Sequence, residues 1–179
     1  MPSPEQILNG LALTANNFYI VSIIWHLLVL LFFIVLLSGR KLSNKQVMAF
    51  LTLPLLTTAL FALMISNPFN GIVFSVITII LWFTIYNTPG ELVALKWDAI
   101  SFAGLAFILF GLFYPHFLEG NGYLQYLYKA PTGLIPCPTL SLVIGFTLLF
   151  HGFNHRKWMW YLSCLGLFYG IFRGSEAGG

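Results

Sequence analysis

Between Phe18 and Ser38 the chain runs through 21 residues without one Asp, Glu, Lys or Arg. A hydrocarbon core about 30 Å thick is crossed by about 20 apolar residues in a helix, so this run has the length and chemistry of a membrane span. Five more apolar stretches follow. Read together, the stretches cover roughly 18–38, 47–66, 69–86, 99–114, 138–153 and 158–172. Lipid offers no partner to an open backbone, so all six are expected to be helices. Composition supports this: 59% of residues are hydrophobic and 7% charged, against about a quarter charged in a soluble domain. A surface so poor in charge needs lipid as its solvent. The expected fold is an all-α polytopic transmembrane bundle of about six spanning helices. It forms a single domain over 1–179.

Turn chemistry divides the spans. Asn67-Pro68-Phe69-Asn70-Gly71 is a dense turn signal, and Asn87-Thr88-Pro89-Gly90 and Asn154-His155-Arg156-Lys157 break the chain again. The stretch 91–97 and the aromatic loop 116–133, with Phe117, Tyr123, Tyr126 and Tyr128, suit the headgroup level. Ser3-Pro4-Glu5-Gln6 reads as a helix start, capped by Ser3, for a short interfacial helix whose Ile7, Leu8 and Leu11 face lipid. With Glu5 and no Lys or Arg, the first sixteen residues have the wrong flank for a cleavable signal.

The basic residues report orientation. Arg40, Lys41, Lys45, Lys96, Arg156 and Lys157 fall in the first, third and fifth loops, and Lys129 and Arg173 on the other side. The positive-inside rule therefore places both termini outside. The net charge of +3 belongs to this pattern and not to nucleic-acid binding.

Candidate chemistry is sparse. Pro138 suits the first turn of the fifth helix, which puts Cys137 at or near the N-cap, where the helix dipole favours a thiolate. The loop before it supplies His116 and Glu119, and Cys137 with His116 would suit a soft or borderline metal ion. His26, beside Trp25, is an ionisable group inside the first span, a place where such groups are costly and often functional. These five residues form the expected ligand-binding set. His151 and His155 share a helical face by spacing, but Asn154 and Arg156 make an interfacial turn the better reading. Asp98 is placed to cap the fourth helix, and Cys164 to act as a small hydrophobe with no disulfide to Cys137. Pro54 and Gly111 mark kinks or close packing. There is no G-x-S-x-G, P-loop, H-E-x-x-H or C-x-x-C, and no lysine or carboxylate in mid-span. An enzymatic function, with Cys137 as a redox thiol, is therefore only the third reading, and no cofactor is specified.

The run Gly133-Leu134-Ile135-Pro136-Cys137-Pro138-Thr139 resembles the most recognisable motif of the uncharacterised bacterial membrane family DUF6064, a Pro-Cys-Pro-Thr opening a transmembrane helix. Leu112-Phe113-Tyr114-Pro115, the Pro-Glu-Gln start with Trp25 in the first span, and the tail from Arg173 to Ala177 are similar too. The resemblance implies a bacterial inner-membrane protein without an assigned activity. It also implies a further apolar segment beyond Gly179. Two functions are expected on these grounds. One is binding or transport of a small molecule or metal ion. The other is a structural subunit that binds a membrane partner or a second copy of itself.

Overall fold

The computed structural model describes residues 4–65, 67–119 and 122–176. Ser3, Ser66 and the end of the glycine-rich tail lie outside the described residues, as do the side chains of Ile7 and Arg173. Among the described residues eight α-helices form: α1 (Pro4–Asn17), α2 (Tyr19–Leu37), α3 (Asn44–Met64), α4 (Pro68–Tyr86), α5 (Ala99–Leu112), the single turn α6 (Tyr126–Lys129), α7 (Pro136–Leu149) and α8 (Arg156–Glu176). Among the described residues the only strand-like pairing is one antiparallel bridge between Ser43 and Leu92.

Helices α2, α3 and α4 are long and apolar enough to cross a membrane. Helices α5 and α7 are apolar but have 14 residues each, about 21 Å at 1.5 Å per residue. This difference from the expected spans has local causes. Helix α5 ends at Leu112, ahead of Tyr114-Pro115. Helix α7 ends at Leu149 because His151, Gly152, Phe153 and Asn154 all take positive φ, from 50° to 67°. Four successive left-handed residues cannot continue a right-handed helix.

Side chains cap the starts of α3, α4 and α5. Ser43 and Gln46 form a reciprocal capping box on α3. The Asn67 side chain accepts from Asn70 N–H, with Pro68 in the first turn of α4. Asp98 caps α5 through Ser101 N–H. Helix α1 begins at Pro4, as its sequence predicts. Its Leu8 is exposed, but Leu11 packs inward beside Ala15, Leu134 and Ile135, so the lipid-facing stripe is narrower than expected.

The core runs through all the long helices, with Phe74, Phe146, Met48, Leu51, Leu55, Leu81 and Trp158 fully buried. Small residues let backbones touch where α5 and α7 meet. A Cβ on Gly104 would lie 2.6 Å from Gly145 O, and one on Gly111 would lie 2.6 Å from Pro138 O. The pairing 104 with 145 and 111 with 138 makes the two helices antiparallel. Gly111 is thus a close-packing position, one of the two roles its sequence context allowed.

Candidate functional site

Polar side chains gather at both ends of the bundle. The first cluster surrounds the turn 130–135, which is buried although it is not helical. Non-helical backbone at membrane depth needs partners from the protein itself. Thr139 supplies several. Its Oγ1 accepts from Gly133 N–H (2.8 Å) and from Thr58 Oγ1–H (3.0 Å), and donates to Ile135 O (2.7 Å). One donor and two acceptor sites are the full capacity of a hydroxyl. Thr57 Oγ1 lies 2.8 Å from Gly133 O and accepts from the Trp25 indole N–H at 3.1 Å. Gly133 has φ of 79°, and a Cβ there would fall 2.1 Å from the Trp25 ring.

The same cluster closes the end of α5, whose last carbonyls have no helical donor. Thr132 Oγ1 donates to Gly111 O at 2.6 Å, and His26 Nε2 lies 2.8 Å from Leu112 O. His26 Nδ1 lies 2.7 Å from Ser22 O. Both ring nitrogens therefore face backbone carbonyls. A neutral ring has one N–H and serves one of them, while an imidazolium serves both. Ser22 Oγ is the exception to this economy: among the described residues it is buried without a hydrogen-bond partner.

The N-cap of α7 is Ile135, with Pro136 as its first residue. Cys137 is therefore the second residue of α7, two positions past the N-cap. A helix start carries four N–H groups without helical acceptors. Pro136 and Pro138 remove two of them, and Ile135 N–H goes to Pro131 O at 3.1 Å. The two prolines thus reduce the cost of starting a helix in buried surroundings.

The remaining sequence candidates lie apart. Trp25 is buried. His116 is exposed, with its ring 5.2 Å from that of Tyr114. Glu119 is exposed, and its N–H donates to Asn16 Oδ1 at 3.0 Å. Asn16 Nδ2 also holds Phe117 O at 2.8 Å, so this one side chain pins the loop to α1. Cys137 is half-buried and Cys164 exposed, and among the described residues no disulfide joins them. Among the described residues no three His, Cys, Asp or Glu side chains come together as a metal site.

The second cluster, at the end where the basic loops meet, includes a cavity that the sequence did not suggest. Asn44 N–H donates to Glu91 O at 2.7 Å and Val93 N–H to Leu42 O at 2.9 Å, stitching the first loop to the third. His151 Nε2 lies 3.3 Å from Asp98 Oδ2 and 3.4 Å from Ser101 Oγ, which joins the fifth loop to the start of α5. A cavity of about 70 Å³ opens here, lined in part by Asn44, Glu91, Lys96, His151 and Asn154. Ser101, His151 and Asp98 do not make a nucleophilic relay. One nitrogen of His151 faces both partners, and Ser101 Oγ donates to Lys96 O. The left-handed turn costs about 1–2 kcal/mol per non-glycine residue. His and Asn tolerate it better than most, and Phe153 is anchored 5.8 Å from the Trp158 ring.

Asp98 precedes α5 and lies outside its span. The Ser101 backbone N–H holds its carboxyl below the ordinary 3.8; partial desolvation opposes this and His151 adds a smaller pull in the same direction. A depressed carboxyl stabilises the fold above its unfolded value, and that contribution fades as pH falls through the folded value. The melting-temperature gap between wild type and Asp98→Asn, in which capping survives, should be level above about pH 5 and shrink on acidification. Melting curves from pH 3 to 7 check this; a gap that widens in acid contradicts it.

No family model matches the chain, and no curated protein or solved structure does either.

Proposed function

We propose that this chain is a structural or partner-binding subunit of a membrane complex, without catalytic activity of its own. All six apolar helices would lie in the bilayer, with the basic loops in the cytoplasm and both termini outside. One observation carries the reading: most polar groups around the buried turn are spent on the chain's own backbone. His26, Thr57, Thr132 and Thr139 all bond carbonyls or amides of the turn and its neighbours. Backbone contact between α5 and α7 leaves no room for a path between those two helices. The assignment to a bacterial inner membrane rests on the resemblance of Pro136-Cys137-Pro138-Thr139 to the DUF6064 motif, and on that motif alone.

The test is the mass of the assembly extracted in native lipid without detergent. A stoichiometric partner or a defined homo-oligomer is expected; a monomer under all extraction conditions overturns the reading. Binding of a small polar molecule or metal ion is the second reading, favoured by the cavity beside Glu91, Lys96 and His151. Metal analysis of protein purified without chelator addresses its metal branch. A bound ion lost on Cys137→Ser or His151→Ala would support that branch, and metal-free protein would remove it.

A further inference from the structure

We propose that the groove between the C-terminal end of α4 and the N-terminal end of α8 binds the headgroup of an anionic phospholipid. The groove has a volume of about 220 Å³. Its lining changes character along the helix axes. Ile80, Phe83 and Thr84 line the part toward mid-membrane, with Tyr161 one turn inside α8, and Asn87, one turn further along α4, stands at the mouth with His155 and Lys157. Acyl chain against the first part and phosphate against the second is the order that a lipid in this leaflet presents.

The donors are arranged for an anion. His155 Nδ1 accepts from Trp158 N–H at 3.3 Å, so the ring proton of the neutral form sits on Nε2 as a donor. Lys157 brings a full positive charge, and no acidic side chain lines the groove. The neighbouring cavity differs on this point: Glu91 lines it, which makes it the poorer anion site. The groove also lies at the end carrying Arg40, Lys41, Lys45, Lys96, Arg156 and Lys157, the side that faces the anionic leaflet if the positive-inside rule holds. Phe83 and Trp160 beside it are more than 60% exposed, as lipid-facing aromatic residues near an interface are.

The inference rests on the bundle being embedded in a membrane. It does not depend on whether a protein partner exists, because its readout is lipid and that of the proposed function is protein. The experiment is native mass spectrometry of the delipidated full chain, titrated with phosphatidylglycerol or with phosphatidylcholine. Wild type is expected to retain phosphatidylglycerol in preference. Lys157→Gln should weaken that retention about fivefold, one basic side chain's worth of attraction at an anionic surface. His155→Asn keeps a capping side chain and removes the ring donor, so it should weaken retention as well. Lys41→Gln lies at the same end but outside the groove and should change retention less than twofold. Equal retention of both lipids overturns the site. So does an equal loss in Lys157→Gln and Lys41→Gln, which would mean a diffuse basic surface. Displacement of the lipid by millimolar inorganic phosphate would mean a free-anion site and also overturns the proposal.

Discussion

Replacing Gly145 by Ala should lower the melting temperature of the extracted protein by about 10 °C, the equivalent of about 3 kcal/mol in a chain this size. The new Cβ would lie 2.7 Å from Gly104 O and 2.7 Å from Ile108 N. Ile108 Cγ1, also 2.7 Å away, could turn aside, but these two obstacles are backbone and cannot, so α5 must move as a whole. Moving it also pulls on Leu112 and Gly111, whose carbonyls His26 and Thr132 hold. Gly104→Ala should behave alike, because its Cβ would meet Gly145 O and Leu149 N. Gly170→Ala is the control: nothing lies within 4 Å of its Cβ position, and replacing a helical glycine there should be neutral or slightly stabilising. Thermal unfolding followed by circular dichroism separates these cases. Equal melting temperatures for Gly145→Ala and Gly170→Ala would mean that α5 and α7 are not in backbone contact.

Thr139→Val should cost about 3 kcal/mol. The substitution keeps shape and removes a hydroxyl that serves three groups at once. It strands the buried Gly133 N–H and Thr58 hydroxyl, and Ile135 O loses its side-chain donor. An unmet buried donor costs about 1–3 kcal/mol, so this one change should cost about as much as a core truncation. Thr139→Ser retains the hydroxyl and should recover most of the loss. A Val variant as stable as the Ser variant would show that water reaches the turn and replaces the hydroxyl.

These two positions also mark how far the sequence could be read. Apolar run length and turn residues located all the long helices within a few residues, because lipid and helix geometry leave few alternatives. Asp98 as a cap, Asn67-Pro68 as part of a turn and Gly111 as a kink or close-packing position were legible for the same local reasons. Helix length was not legible for α5 and α7. The left-handed turn at 151–154 ends α7 early, and its cost is recovered by tertiary contacts of Phe153 that no local pattern displays. The candidate site was legible in part. Pro136-Cys137-Pro138-Thr139 drew attention through its cysteine, yet Thr139 and the two prolines have the interactions that explain the turn. Thr57, Thr58 and Asn16 carried no signal, since a threonine or asparagine near a helix end is common and its partner lies far along the chain. His26 was noticed as an ionisable residue in lipid, and its role follows from the open carbonyls of α5, which come near only after folding.

The claim at the centre is that the non-helical turn 130–135 is packed protein and not the lining of a wet vestibule. Hydrogen exchange of the peptide spanning 130–139, in lipid nanodiscs, tests it most directly. A packed turn predicts that Gly133, Ile135 and Thr139 amides, whose acceptors are Thr139 Oγ1, Pro131 O and Ile135 O, exchange as slowly as the interior of α7. Exchange as fast as that of the exposed segment 89–97 would contradict it and return the turn, with Cys137 beside it, to the list of ligand-accessible sites.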